Sequence, residues 1–527
     1  MNGCSIFTNT QSNSTFRLNK RLRIVKLTTL ICRIAAGSML LGMALAVPAS
    51  EQAKPSKMSK EAKPADVQEG GFRPDPTYED KPYSAEAQLE IYGAKRALET
   101  PRPLLELGQR IYDSGPLRRS TTPFGAKNPV KPELTVYGDW RTALAFNDNG
   151  AKEIGQIATR LNLDIDLKLT GTERLHAFVR PLDRGGKFTR CEFAGNDEKD
   201  GCELEFDGNI DALFFEGDLG AIMSGINDHH HTYDLPFAVG LMPLLFQNGV
   251  WLEDAFTGLA FTIPALNSRW LDISNMDITF FAGFDKVSSG GIINSQGQVA
   301  DHDANLYGIT AFIEAQGGYI ELGYGLTDGI GALDEQSYNN FTAAFSRRYG
   351  NWLSNSTRII WNTGQHRKSG TRQTADGVVL LFENSWITSM PSTLVPYLNV
   401  FLGLDRPQSL ARDAGAGGIL KNTGINFETD GLTGFPKLDD SANDAFGGAI
   451  GVEYLFSLDQ QIVVELATVQ VFGNRTGKVA PGDQYAVGVR YQRPITKAWL
   501  VRADAMYATR RRLDNLAGIR LELRRKF

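Results

Sequence analysis

The last fifteen residues, Leu513 to Phe527, alternate in character: Ala517, Ile519, Leu521 and Leu523 are small or apolar, and Gly518, Arg520, Glu522 and Arg524 fall between them. A two-residue period of this kind is a β-strand with one oily and one wet face, and this strand stops on an aromatic carboxy terminus. A soluble sheet with one face in water produces the same pattern in any single strand. Here the pattern recurs through most of the chain and follows an export signal. A secreted sheet that is polar inside and apolar outside implies a transmembrane antiparallel up-and-down β-barrel of an outer membrane.

Membrane-spanning helices are excluded after residue 50. The longest apolar stretch, Leu235 to Phe246, holds 12 residues and is broken by Pro236, Gly240 and Pro243, against the roughly 20 that a spanning helix requires. Hydrophobic residues make up 42% of the chain and the mean hydropathy is -0.23. A barrel tolerates this polarity, because about 9 to 11 tilted residues cross per strand and only alternate ones meet lipid.

Arg17, Lys20, Arg21, Arg23 and Lys26 precede a mostly apolar run from Leu27 to Val47. This reads as a secretory signal peptide over residues 1–49, cut near 46 to 49. Arg33 interrupts the run, so an uncleaved anchor is the alternative. The chain carries 55 basic and 60 acidic residues; losing the six basic residues of the signal leaves 49 against 60, a formal charge of -11. That balance gives no reason to expect a nucleic-acid partner. The exported part retains two cysteines, Cys191 and Cys202. In an oxidising compartment they are expected to pair and close one hydrophilic loop, worth about 3 kcal/mol in a chain-entropy account.

Residues 50–83 are rich in Lys, Glu, Pro and Ser and read as a disordered linker. Residues 84–132 read as a helical periplasmic lead-in or plug, with helices expected over 85–99, capped by Ser84, and over 104–112. From residue 133 onward the period is two, and eighteen strands are expected (16–18), forming a barrel over 133–527. Connections sort by length in the way such barrels require. Residues 182–209, 285–303, 363–374 and 404–443 are long and belong outside, whereas 171–172, 349–351, 457–459 and 494–495 are short and belong to the periplasmic side. Two connections on that side, 223–232 and 264–276, read as longer than expected.

Within this pattern Leu161, Leu163, Ile165, Leu167 and Leu169 share the lipid face, and Asn162, Asp164, Asp166 and Lys168 the other. Tyr485, Tyr491, Trp499, Tyr507 and Phe527 fall where an aromatic girdle would meet headgroups. Arg141, Arg174, Arg180, Arg490, Arg502, Arg520 and Arg524 fall on inward phases, with Asp139, Asp164, Asp166, Asp504 and Glu522. Two readings are open: a structural ladder of cross-strand ion pairs, or a selectivity field made by arginines left unpaired at a constriction.

No GxSxG, HExxH, Walker or CxxCH pattern occurs, so neither an enzyme nor a haem or other cofactor is expected. His229, His230 and His231, beside Asp228 and Asp234, are a weak metal candidate, because three consecutive side chains rarely reach one ion. His176, between Arg174 and Arg180, reads as a lumen-facing polar group.

The segment from Pro236 to Pro264, with Gln247, Gly249 and Asp254, resembles a strand-loop-strand passage of the alginate-export group of outer-membrane barrels. The resemblance implies an eighteen-stranded channel for an anionic polysaccharide or small anionic solutes. The expected function is a porin-like channel for passive diffusion of charged solutes. The alternative is a closed barrel scaffold that binds at its surface loops or docks a periplasmic or electron-transfer partner. Expected partners are outer-membrane lipid, the barrel-assembly machinery through the C-terminal strand, and a periplasmic protein through residues 84–132.

Overall fold

The computed structural model describes residues 101–527 apart from 109–124, 126, 196–200, 209, 367–372, 429–430, 457–459 and 473–481. The expected signal peptide, linker and helix over 85–99 lie outside the described residues. In chain order the first strands are β1 (Leu105–Leu107), β2 (Glu133–Asp148), β3 (Glu153–Lys168), β4 (Arg174–Val179), β5 (Asp183–Arg184), β6 (Lys187–Gly195), β7 (Gly201–Glu203) and β8 (Ile210–Asp218). Helix α1 (Leu219–Asn227) follows, then β9 (Pro236–Phe246), β10 (Leu252–Ser268), β11 (Ile273–Asp285), β12 (Ala304–Ala315), β13 (Gly318–Gly329), β14 (Tyr338–Tyr349) and β15 (Leu353–Thr363). The remainder are β16 (Asp376–Trp386), β17 (Leu394–Arg406), β18 (Ala411–Arg412), β19 (Ala445–Phe456), β20 (Gln460–Val471), β21 (Gln484–Pro494), β22 (Trp499–Arg510) and β23 (Leu516–Lys526).

Eighteen of these strands, all but β1, β5, β6, β7 and β18, form one antiparallel wall in chain order. The wall closes where β2 pairs with β23, from Asp139 opposite Lys526 to Asp148 opposite Ala517. Closure matters because lipid offers no hydrogen bonds to an open sheet edge. Each of the eighteen expected strands has a counterpart. The polarity is inverted relative to a soluble sheet: Ile519 and Leu521 are 65% and 51% exposed, while Arg520 and Glu522 between them are 1%. Tyr485 and Tyr507 lie exposed near the long-loop ends of their strands, and Trp499 lies near the short-turn end. The C-terminal Phe527 exchanges backbone hydrogen bonds with Gly138. Arg525 faces outward and rests its guanidinium 5.7 Å from the centre of the Trp499 ring, a placement that keeps its charge at the interface.

Three local expectations are corrected. The stretch expected as a helix over 104–112 instead begins with β1, antiparallel to Leu134–Val136. The chain ends at Phe527 opposite Gly138, which leaves the edge of β2 before Gly138 free of β23, and three residues of lead-in pair with Leu134–Val136 there. The expected turn over 264–276 shrinks to residues 269–272, because a bulge absorbs Pro264. Ala265 adopts φ 57° there and donates its N–H to Asp277, so the ladder resumes past a residue that cannot donate. Finally, β8 stops at Asp218 rather than running to residue 222. The Asp218 carboxylate accepts from Ala221 N at 2.7 Å and from Leu235 N at 2.8 Å, which caps α1 and fixes the return to β9.

Lead-in residues described beyond β1 also keep to the short-turn rim. Lys131 donates to Leu169 O at 2.8 Å, and Asn128 donates to the buried Glu173 carboxylate at 2.7 Å.

The apolar core lies inside the cylinder. The connection between β9 and β10 bends inward, so that Trp251 Nε1 donates to Asn340 of β14 at 2.9 Å and Thr342 donates to Gln247 at 2.8 Å. Gly323 on β13 admits the indole; a Cβ there would come 2.6 Å from it. Trp251, Phe256, Phe281, Tyr338, Leu410, Phe427 and Leu438 belong to one buried cluster.

Two outcomes follow. Leu521→Arg, placing a charge in lipid at mid-strand, should lower folding stability by about 2 to 4 kcal/mol, read as a urea midpoint in vesicles, whereas Leu521→Ala should cost much less. Cys191 and Cys202 form a disulfide between β6 and β7. Neither thiol should take up a maleimide in the denatured protein until a reductant is added.

Candidate functional site

The long connection expected to lie outside, 404–443, turns into the lumen. It meets walls on different sides of the barrel: Leu410 O accepts from Thr327 at 2.9 Å and from Tyr338 at 3.0 Å. Thr433 O accepts from Asn147 at 2.8 Å and Gln156 at 2.6 Å on β2 and β3. Its apolar residues Leu410, Ile419, Leu420 and Leu438 pack into the luminal core. Two of the cavities that remain lie against the charged part of the wall. One, about 1020 Å³, reaches from Arg184, Lys286 and His302 at the long-loop end to Tyr137, Asp164 and His176 further down the strands. The other, about 460 Å³, lies toward the short-turn end between the loop at 421–428 and the wall at Tyr397, Gln461, Arg490 and Gln492.

A row of charges connects them. At the first cavity Arg180 donates to Asp211 at 2.5 Å and lies 3.5 Å from Asp183, which is 3.6 Å from Arg160. Arg160 is directly opposite Arg141 across β2 and β3. Arg141 binds Glu522 through both Nε and Nη2, at 3.2 and 2.7 Å, and Arg524 reaches the same carboxylate at 3.0 Å. One strand on, Asp504 takes Arg520 at 2.7 Å, Arg490 at 2.8 Å and Arg502 at 2.9 Å. Glu428, from the inward loop, meets Arg490 at 2.6 Å and Arg502 at 3.8 Å in the second cavity. The side chains alternate with the strand period, which is why they share one face.

Of the two open readings, the cross-strand ladder describes the bonding, since each of these arginines has a carboxylate partner. Exposure adds a second property. Asp504 and Glu522 are 5% and 1% exposed, while Arg141, Arg490 and Arg502 are 13 to 15% and Arg524 is 26%. Asp504 and Glu522 sit behind, and the guanidinium edges of Arg141, Arg490, Arg502 and Arg524 outcrop into the lumen. Such edges retain N–H donors for an anion, since each guanidinium carries five.

Arg174, Asp166 and His176 form a separate group near the short-turn end. Arg174 lies 3.7 Å from Asp166 and 3.9 Å from Glu216, and His176 stacks on Phe214 with ring centres 4.8 Å apart. In the loops, burial pushes the Asp183 carboxyl above its ordinary range, although Arg180 and Arg160 pull it down. Burial likewise raises Asp439 and lowers the Arg412 guanidinium beside Glu253. His229, His230 and His231 follow the end of α1 and are not brought together as a metal site; no cluster of potential ligands occurs among the described residues.

Four participants escaped the sequence reading. Arg160 occupies the same phase as Asn162 and Asp164, so alternation could have found it. Asp183, Asp211 and Glu428 come from loops or a strand start, where no period operates.

No family model matches the chain, and no curated protein does. Among solved structures, OpdK of Pseudomonas aeruginosa with vanillate gives a TM-score of 0.52 at 12% identity, covering 75% of this chain and 98% of that one. Another structure of that protein, OccK1 (OpdK), gives 0.51 at 12% identity with the same coverage. These likenesses carry no support for the alginate-export group suggested by residues 236–264. The fold they show is a closed eighteen-stranded barrel of the outer-membrane porin type.

Proposed function

We propose that this chain is a channel in the outer membrane of a Gram-negative bacterium, through which small charged solutes diffuse passively and anionic groups are favoured along the arginine row. One observation carries the reading: the row runs from the first cavity to the second, and in its middle stretch Arg141, Arg490, Arg502 and Arg524 are more exposed than Asp504 and Glu522, the carboxylates that pair them. An anion moving along it exchanges one bidentate partner for the next without entering a deep well, as a conducting site requires. Vanillate, found with the fold neighbour OpdK, is an aromatic carboxylate of the size this reading favours. The apolar packing of 404–443 across the lumen favours a small solute over a polysaccharide.

The outer cavity has a different character. Asp164, Asp183, Asp207, Asp211, Asp254, Asp301 and Asp413 line it with Arg180, Arg184 and Lys286. This excess of carboxylate suits a solute that also carries a cationic or hydrogen-bond-donating end.

In planar bilayers the purified protein should conduct, with anions preferred over cations in a salt gradient. Arg490→Ala combined with Arg502→Ala should move the permeability ratio toward cations, by roughly five-fold per charge if the charge acts through water at about 4 Å. Arg520, 1% exposed and bound to Asp504, should behave differently. Arg520→Ala should lower the temperature at which the folded band converts on a heat-modifiability gel and leave ion preference close to wild type. A folded barrel without conductance or solute flux would remove the channel and leave the closed-scaffold reading.

A further inference from the structure

Glu465 stands on the inward phase of β20, between Val463 and Ala467, and is 1% exposed. A carboxylate in that position must be fully hydrogen-bonded or it would destabilise the fold. Its partners come chiefly from the inward loop rather than from the wall. Oε2 accepts from Ile425 N at 2.9 Å and from Tyr397 OH at 2.5 Å. Oε1 accepts from Asn426 N at 2.9 Å and from Asn426 Nδ2 at 2.8 Å. One side chain thus holds two successive backbone N–H groups of the loop.

The surroundings are shaped for this contact. Gly488 on β21 leaves room for the Asn426 amide, which a Cβ there would approach to 2.5 Å. Phe427, fully buried, meets Phe401 edge to face with ring centres 6.0 Å apart. The residue after Phe427 is Glu428, which reaches Arg490 and Arg502. The loop's place across the lumen and the charge at the inner end of the row are set by the same few residues.

We propose that Glu465 is the positioning residue of this channel: a buried latch that fixes loop residues 423–428 across the lumen, sets the bore at the second cavity, and holds Glu428 against the arginine row so that anion preference is restrained. The inference rests on the channel reading for its electrical consequences. The position of the loop can be measured without it.

Glu465→Ala removes all four acceptor contacts, and residues 423–428 come away from β20 while the apolar anchors of the loop remain. Single-channel conductance then rises, and anion-over-cation permeability rises by up to roughly five-fold, the effect of one unit charge leaving a site about 4 Å away in water. In the folded barrel, trypsin cuts at Lys421 or Lys437, which resist it in wild type. Glu465→Gln keeps the volume and part of the acceptor capacity and gives intermediate values. Glu428→Gln raises anion preference with the loop still resistant to trypsin, which separates charge from position.

Heat-modifiable migration identifies the folded barrel in every variant. Should Glu465→Ala be folded, resistant to trypsin and unchanged in conductance, the latch is overturned. Should wild type fail to conduct while Glu465→Ala becomes cleavable, the latch stands and the channel reading falls.

Discussion

Satisfying every backbone N–H and C=O in a medium that offers no hydrogen bonds is the constraint from which this structure follows. A sheet meets it only by closing, and closure fixes which side chains face lipid and which face the lumen. In β23 a one-residue slip would bring Arg520, Glu522 and Arg524 into lipid and turn Ile519 and Leu521 inward. An arginine at mid-depth costs about 2 to 4 kcal/mol, and with the smaller costs of Glu522 and Arg524 added the register is defined more firmly than by any local turn. The charge row is a consequence: residues excluded from the outer face accumulate inside, where neighbouring strands set them side by side.

Accumulated charge within a protein must then be neutralised. Asp504 gathers three arginines and Glu522 gathers two, so each buried acid serves several bases and the bases divide the remaining exposure among them. This arrangement stiffens the wall between β2 and β21 and leaves the water side positive. Structural and functional readings of the ladder are not rivals here. Pairing determines where the arginines stand, and unequal burial determines what a solute meets.

The wall was legible because its signal is periodic and repeated eighteen times. Where the period is broken by one residue, as at Pro264, a sequence reading ends the strand, but the structure inserts a bulge and continues. Residues 104–112 carried apolar spacing that fits a helix, yet Leu105–Leu107 form a strand, because pairing with the free edge of β2 decides their conformation and no local preference records it. Loop 404–443 was placed by its length on the outer side of the barrel, which does not say whether it folds into the lumen; Leu410, Ile419, Leu420, Phe427 and Leu438 within it are the composition of a segment that packs. Burial of those side chains, rather than length, was the informative property.

The interior consequently has two chemistries. Around β10 to β17 it resembles the core of a soluble domain, with Trp251, Phe256, Phe281, Tyr338 and Leu410 closely packed; around β2 to β4 and β20 to β23 it is polar and lined by ion pairs. The first half makes the second usable. A loop inserted into a wholly polar, water-filled lumen would trade its hydrogen bonds with solvent freely and sample many positions. Anchored by an apolar cluster at one side and by Glu465 at the other, it holds one position, and a single carboxylate on it, Glu428, can be set against Arg490 with a separation of 2.6 Å. A channel that selects by charge needs its charges fixed to within a few ångströms, since the field of each in water fades over about a Debye length of 8 to 10 Å. The apolar core inside this barrel supplies that fixity.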